Sequence, residues 1–518
     1  MASKHLFSSA ARRITPADVI NEAGGKAYRL EAKHALAQYA ATGCFGTTYY
    51  ASQGEQLDQV LQLCTTIDDD FIARTAVYAR EHGHMKDMPA LLLAVLAGRG
   101  SDRLERVFDR VLDNGKMLRN FVQIVRSGVT GRRSLGSRPK RLVKRWIQQR
   151  SAATLLRASV GNDPSLADVI KMVHPAPTDA ERRALYGYLV GRPHDLEALP
   201  AIVKDYEAFK AGRTKEVPNV PFQLLTALSL TTPAWTKIAR DAGWQMTRMN
   251  LNTFARHGVF HDREVVELVA GRLADAEEVR KARVFPYQLM VAYAQTGQQV
   301  PVEIREALQD AMEHAVSNVP RTRGPVHILP DVSGSMHSPA TGHRPGATSV
   351  VRCIDVAALV AAAFLRTNPQ AQVLPFHDRV QECPLNPRDS VMTNAQRLAA
   401  LPSGGTDCAA PLRRLNRDKA TGDLVIFVSD NQSWIDTSRT WNGGTAVLEE
   451  WEKYRKRNPR AKLVCIDVQP YANTQAPERA DILNVGGFSD AVFTLVGAFV
   501  EDRLHPAHWV GVIESLEL

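Results

Sequence analysis

The sequence predicts an α-helical solenoid followed by a doubly wound parallel α/β domain, and three observations predict it. The chain has 518 residues, too many for one compact core. From residue 16 to 318 the apolar positions follow helical spacing, with little strand-like alternation. After "SNVPRTRGP" the pattern switches to short runs rich in Val, Ile and Leu, with helical stretches between them. The expected division is a helical domain over 1–320 and an α/β domain over 321–495. A carboxy-terminal segment over 496–518, containing "HPAHWVGVIESLEL", is free to pack back on the helical part.

The helical elements follow in order. Thr15-Pro16-Ala17-Asp18 offers a cap, a proline in the first turn and an early acid. "LDQVLQLCTTI", "PALLLAVLAG" and "LERVFDRVLDNG" continue the helical spacing. Ser165-Leu166-Ala167-Asp168 resembles a capping box with Asp in place of Glu, and Thr178-Asp179-Ala180-Glu181 matches one fully. Leu166, Val169, Ile170 and Val173 form one apolar face. "PVEIREALQDAMEHAV" closes the series. Many short helices with short loops fit an α-solenoid of paired helices, with degenerate repeats because no period is evident.

In the second half the expected strands are "VHILPD", "QVLPF", "DLVIFVSD" and "KLVCIDV". "VVRCIDVAALVAAAFLR" and "GTAVLEEWEKYRKRN" are the helices between them. Nearly continuous apolar strands imply a parallel sheet covered on both faces, where ligands bind beyond the carboxyl ends of the strands.

Those strand ends carry oxygen. "PDVSGSMHSP" places Asp331, Ser333 and Ser335 at alternate positions after the first strand. The loop "SGGTD" adds Thr406, and "LVIFVSD" ends on Asp430. Two carboxylates and three hydroxyls, completed by water, suit one octahedral Mg²⁺ or Mn²⁺ and lack the nitrogen or sulfur that zinc prefers. The plainer reading is a Ser/Gly turn that caps the next helix. The set resembles the metal-ion-dependent adhesion site of von Willebrand factor A domains, in which D-x-S-x-S, a Thr and an Asp stand in this order. Such a site commonly completes its coordination with a partner's carboxylate, which is binding and not catalysis.

Composition narrows the remaining classes. The apolar fraction is 44% and the charged fraction 23%, ordinary for a globular protein. No apolar run reaches the ~20 residues of a membrane span, and the start lacks a secretory signal. A cytoplasmic location is expected. The cysteines Cys44, Cys64, Cys353, Cys383, Cys408 and Cys465 form no C-x-x-C, which argues against a disulfide framework or a thiolate zinc site.

The net charge is +9, and its placement matters more than its size. Residues 132–150, "RRSLGSRPKRLVKRWIQQR", hold eight Lys/Arg and no acid. Arg132, Arg133 and Arg138 lie in a glycine-rich approach to a helix starting near Pro139. On that helix Leu142, Val143, Trp146 and Ile147 share one face, and Lys140, Arg141, Lys144, Arg145 and Gln148 the other. Such a row can grip phosphates; a solvated helix face is the plainer reading. Lys171 and His174 flank the apolar face of the helix starting near Leu166. Arg248, Asn250, Asn252, Arg256 and His257 lie together in "MTRMNLNTFARHGVF" and are candidates for RNA contact.

The chain as a whole resembles the Ro autoantigen family, the TROVE-domain proteins. The carriers are "NEAGGKAYRLEAKHALAQYAATGCFGTTYYA", "SLGSRPKRLVKRW", "IKMVHPAP", "MNLNTF", "DVSGSM", "SGGTDCAAPL" and "SDNQSW". The resemblance implies a ring of HEAT-like repeats closed by the A domain. It implies small structured Y RNAs on a basic outer surface, and single-stranded ends of misfolded noncoding RNAs in a positively charged hole. It further implies cooperation of bacterial relatives with exoribonucleases in RNA turnover after stress. A polyanion-contacting role carries over to Lys140, Arg141, Lys144, Arg145, Lys171 and His174. The metal role carries over to Asp331, Ser333, Ser335, Thr406 and Asp430. Asn431-Gln432-Ser433 is where relatives vary, which puts a shared partner surface there in doubt.

A monomeric, non-enzymatic RNA-binding protein is the leading expectation. A metal-dependent protein adaptor is the second. A metal-dependent nuclease is disfavoured, because no general base or second metal site accompanies the oxygen set.

Overall fold

The structure is a computed structural model and describes residues 14–43, 46–282, 284–340, 351–434, 443–487, 489–504 and 507–518. Cys44 and Phe45, within "TGCFGTTYY", lie outside them. The chain divides into two compact units, one of residues 1–67, 285–291 and 312–516, the other of 68–284, 292–311 and 517–518. No helix among the described residues is long and apolar enough to cross a membrane.

The first unit is built on two sheets. Strands β1 (Val19–Ile20) and β2 (Lys26–Arg29) form an antiparallel hairpin. The parallel sheet contains β3 (Val326–Pro330), β4 (Gln372–Val373), β5 (Leu424–Ser429) and β6 (Lys462–Asp467). Strand β7 (Asn473–Thr474) pairs with β2, and β8 (Ile482–Gly486) joins the parallel sheet, whose order is β4-β3-β5-β6-β8. Every neighbouring pair in that sheet is parallel. Strand residues of one parity, Leu329, Val425, Phe427, Leu463 and Cys465, join Leu412, Trp451 and Tyr454 in a core. The helix Cys353–Thr367 packs on β3, β4 and β5, and Ala491–Val500 on β6 and β8. The sheet is therefore buried on both faces, as its unbroken apolar strands require.

The second unit is helical. The helix Asp69–Glu81 packs on Asp87–Arg99 and Arg103–Val111, and Gly115–Ser127 packs on Asp87–Arg99. Phe108 and Phe121 meet edge to face at 5.4 Å in its interior. The next helices, Ser137–Gln149 and Leu166–Val173, pack on each other. The fold class is as expected, a helix-rich amino-terminal part and a carboxy-terminal parallel sheet.

Three expectations need correction. No helix starts at Thr15; residues 14–18 are irregular and lead into β1. The hairpin turn requires Gly25, because a Cβ there would lie 2.1 Å from the Ser433 carbonyl oxygen. The helix near residue 180 is capped by Asp179, which accepts the Arg182 N–H; Thr178 instead donates to the Asp179 carboxylate at 2.8 Å. The Ser165–Asp168 box forms as expected. Strand β8 was missed, since "ILNVG" is interrupted by a buried Asn484. The compact units draw on distant stretches of the chain. Residues up to 67 group with the sheet, and the carboxy-terminal helix His508–Glu514 packs on β8 and on the helix Ala32–Thr42 of the same unit.

Candidate functional site

The oxygen set assembles at the carboxyl ends of β3 and β5. Asp331 follows β3 directly, and its Oδ1 accepts the Ser333 N–H at 2.8 Å while its Oδ2 accepts the Ser429 hydroxyl at 2.7 Å. The Gly334 N–H donates to the Gly404 carbonyl at 2.9 Å, which ties the D-x-S-x-S turn to the loop carrying Thr406. The Ser333 and Ser335 hydroxyls lie 3.3 Å apart. Asp430 follows β5, and its Oδ1 accepts the Gln432 N–H at 3.2 Å. The Thr406 carbonyl accepts the Trp434 N–H at 3.3 Å, joining the second and third loops. The structure thus brings all five residues to one place.

The electrostatics of that place ask for a cation. Asp331 is 0% exposed and Asp430 2% exposed, and the second carboxylate oxygen of Asp430 is buried without a hydrogen-bond partner among the described residues. Burial and the neighbouring Asp430 charge push the Asp331 carboxyl up to about 7. Burial likewise raises Asp430. Asp467, at the end of β6, is raised well above the carboxylate range by burial and by Asp430. Carboxylates packed together away from water resist ionisation unless a cation neutralises them. No group of three or more His, Cys, Asp or Glu able to hold a metal occurs among the described residues. The donor set is hydroxyl-rich with two carboxylates, and it fits a hard divalent ion held with the help of water. Asp331, Ser333, Ser335, Thr406 and Asp430 are the residues that could hold it.

The loop after Asp430 is not an open surface. Asn431, Gln432 and Ser433 are buried. The β1–β2 turn holds them: the Asn21 side-chain amide donates to the Ser433 carbonyl at 2.9 Å, and Gln432 Oε1 accepts the Glu22 N–H at 2.8 Å. Sequence reading missed Ser429 and this clamp. Ser429 could have been found, since it precedes Asp430 at a strand end.

The basic helix is the second candidate. It spans Ser137–Gln149, and Pro139, Leu142, Val143, Trp146 and Ile147 are buried. The Trp146 indole N–H donates to the Leu112 carbonyl at 2.7 Å and fixes the helix rotation. The opposite face carries the cations, but it is not free of acids. Arg141 pairs with Glu105 at 2.7 Å, and Arg145 with Asp109 at 2.8 Å and Glu105 at 3.4 Å. These acids belong to the helix Arg103–Val111. The expectation of an unpaired row therefore holds only for Lys140 and Lys144, which make no ion pair among the described residues.

The flanking arginines divide. Arg132 and Arg138 donate to the Gly98 and Gly100 carbonyls at 3.3 and 2.6 Å, capping the end of the helix Asp87–Arg99. Arg133 is exposed. Lys171 is exposed in the last turn of Leu166–Val173, and His174 caps that helix in the left-handed conformation, φ 51°. Gln148 reaches the Ala176 carbonyl at 3.0 Å, which brings this helix end beside the basic helix.

The third patch is mostly structural. Arg248 donates to Gln245, and Asn250 to the Met246 carbonyl at 2.8 Å. Asn252 holds the Gln295 carbonyl and the Gly297 N–H, both at 2.8 Å. His257 stacks on Trp235 at 4.3 Å. Arg256 is the exposed cation of the patch.

Comparison with known proteins adds an independent line. Residues 326–500 match the family model described as the Ro60 vWA domain. The chain is similar to the RNA-binding protein RO60 of Deinococcus radiodurans, 24% identical over 536 aligned residues covering 95% of this chain and 97% of that protein. It is also similar to the RNA-binding protein RO60 of Caenorhabditis elegans, 27% identical over 279 residues, 51% of this chain and 41% of that one. The crystal structure of the Deinococcus radiodurans RO (RSR) protein matches with a TM-score of 0.61 at 22% identity, covering 92% of this chain and 100% of that one. That likeness shows a shared fold. The resemblance to Ro proteins carried by the sequence motifs thus extends along nearly the whole chain, and over residues 326–500 it includes the Ro60 vWA domain model.

Proposed function

We propose that this chain is a non-enzymatic, cytoplasmic RNA-binding protein of the Ro type. Its ligands are small structured noncoding RNAs of the Y RNA kind and misfolded RNAs with single-stranded ends. Its role is RNA quality control and turnover beside an exoribonuclease. Similarity over nearly its full length to a protein named as RNA-binding supports this reading. The observation that carries it is the basic helix. Four large apolar side chains anchor one face, while on the other Lys140 and Arg141 are exposed, Lys144 is half-buried, and neither lysine makes an ion pair among the described residues. An anchored helix presents its cations at fixed positions, which is what a structured phosphate backbone needs.

The paired arginines do not argue against this. Exposed ion pairs are worth about 0–1 kcal/mol, so Arg141 and Arg145 can exchange Glu105 and Asp109 for phosphates at little cost. The oxygen set of the A domain supplies a Mg²⁺ or Mn²⁺ site in the same reading.

Crosslinking the protein to nucleic acid in its own cells and sequencing the recovered RNA tests the proposal. Structured noncoding RNAs with free ends are expected with the wild-type chain and are expected to be depleted with Lys140→Glu/Lys144→Glu. Recovery of no enriched RNA, or of the same RNAs with both proteins, contradicts it.

A further inference from the structure

A cavity of about 970 Å³ opens in the helical unit, lined by the end of the helix Ala201–Lys210 and the start of the helix Thr232–Asp241. Phe209, Val217, Leu228 and Leu230 line it and are half-buried. Lys210, Lys215 and Lys237 line it too and are exposed, and Glu216 is the one acid among its described lining residues. Apolar walls beside several cations match a ligand with a flat apolar body and a negative charge next to it.

Local sequence builds this wall. The helix Ala201–Lys210 stops at Gly212, which is left-handed at φ 70°. The Gly212 N–H donates to the Phe209 carbonyl and the Arg213 N–H to the Ala208 carbonyl, both at 2.9 Å. The sharp stop returns the chain along the cavity, and Thr214 Oγ1 fixes the return by accepting the Glu216 N–H at 3.0 Å. Lys210 pairs with Glu207 at 3.2 Å, and Lys237 with Asp241 at 2.7 Å. Both pairs are exposed, so a phosphate displaces the carboxylates at small cost. Lys215 makes no ion pair among the described residues.

We propose that this cavity holds an unstacked nucleobase of a single RNA strand, with the Phe209 ring against the base and Lys215, beside Lys210 and Lys237, on the flanking phosphates. A base reaches an aromatic side chain in a pocket only when it is free of its own helix, so a paired stem cannot fill the cavity. The phosphates of a single strand stay outside such a pocket, where the exposed lysines are. Recognition of this kind is loose in sequence, because every base has an apolar face. The proposal rests on the RNA-binding reading given above and assigns it a second site, outside the helix Ser137–Gln149.

The test is the affinity of the full chain for two RNAs, a blunt-ended hairpin and the same hairpin with a single-stranded uridine tail. The wild-type chain is expected to prefer the tailed RNA. Phe209→Ala is expected to weaken the tailed RNA by about tenfold, the loss of one base–aromatic contact, and to leave the blunt one unchanged. Lys215→Ala is expected to lower the log–log salt slope of the tailed RNA by about 0.7, the share of one phosphate on a single strand, with no change for the blunt one. Lys215 is exposed, so this variant decides the matter if Phe209→Ala does not fold. A tail preference and salt slope that both variants share with the wild type overturn the proposal and leave the cavity to an acidic protein segment with apolar side chains. Equal affinity of the wild-type chain for the two hairpins overturns it as well. If the wild-type chain binds neither hairpin, the RNA-binding reading falls and this proposal with it.

Discussion

His34, which is buried, and Glu478, which is half-buried, are ionisable side chains whose titrations oppose each other. Burial pushes His34 from 6.5 down to about 4, with His508 adding to the shift and a backbone bond at Asn484 resisting it. The unfolded chain takes up this proton near 6.5 and the folded chain only near 4. The His34 contribution is thus full above 6.5 and lost as pH falls toward 4, about 3 kcal/mol in all. Burial pushes Glu478 from 4.5 up to about 7 against the bonds it accepts from Asn484, and Glu31 adds to the shift. Its contribution is full below 4.5 and lost as pH rises to about 7. The two senses offset each other between these limits. His508 also faces Glu478, at 3.9 Å. Glu478→Gln should therefore steepen the loss of thermal stability on acidification from pH 6.5 to 4.5, read from melting temperatures. A melting profile unchanged by the substitution contradicts this assignment.

At the same scale, the five oxygen residues were readable because strand alternation and strand ends are periodic features of sequence. Arg132 and Arg138 read as cations for RNA, yet the carbonyls they cap lie on another helix. A charge says nothing about which acceptor is nearest.

At the scale of elements, the buried and exposed faces of Ser137–Gln149 follow from helical spacing alone, and every apolar residue assigned to the packed face is buried. The acids opposing it were invisible, since Glu105 and Asp109 lie on a different helix. In the free chain they pair with Arg141 and Arg145 and compete weakly with a polyanion for them. Glu105→Gln/Asp109→Asn should release both arginines and tighten RNA binding, with a log–log salt slope steeper by up to about 2. Affinity and slope equal to wild type would show that these arginines do not meet phosphate. The β1–β2 hairpin escaped sequence reading for a different reason. Its strands have two and four residues, too short for alternation to register, and its partner β7 lies far along the chain.

At the scale of the molecule, the unit that contains the parallel sheet also takes in residues 14–67 and the helix His508–Glu514. The helix His508–Glu514 buries Trp509 and Ile513, and Trp509 meets His34 edge-on at 5.6 Å. The composition shift near residue 320 reveals where strands begin; it is silent on distant segments that complete the same core, because tertiary packing has no local signature. Trp509→Ala should destabilise this unit by about 3–5 kcal/mol through the cavity it leaves. Calorimetry should then show the loss in the transition of this unit, and an unshifted transition would mean the terminal helix is dispensable.

The central claim is that Lys140 and Lys144 hold the phosphates of a bound RNA. The most direct measurement is the equilibrium affinity for a small structured noncoding RNA as a function of salt, in the wild-type chain and in Lys140→Ala/Lys144→Ala. The predicted result is a steep loss of wild-type affinity between about 50 and 200 mM salt, with a log–log slope smaller by about 2 in the variant. A wild-type affinity that does not change with salt, or two identical slopes, would contradict it.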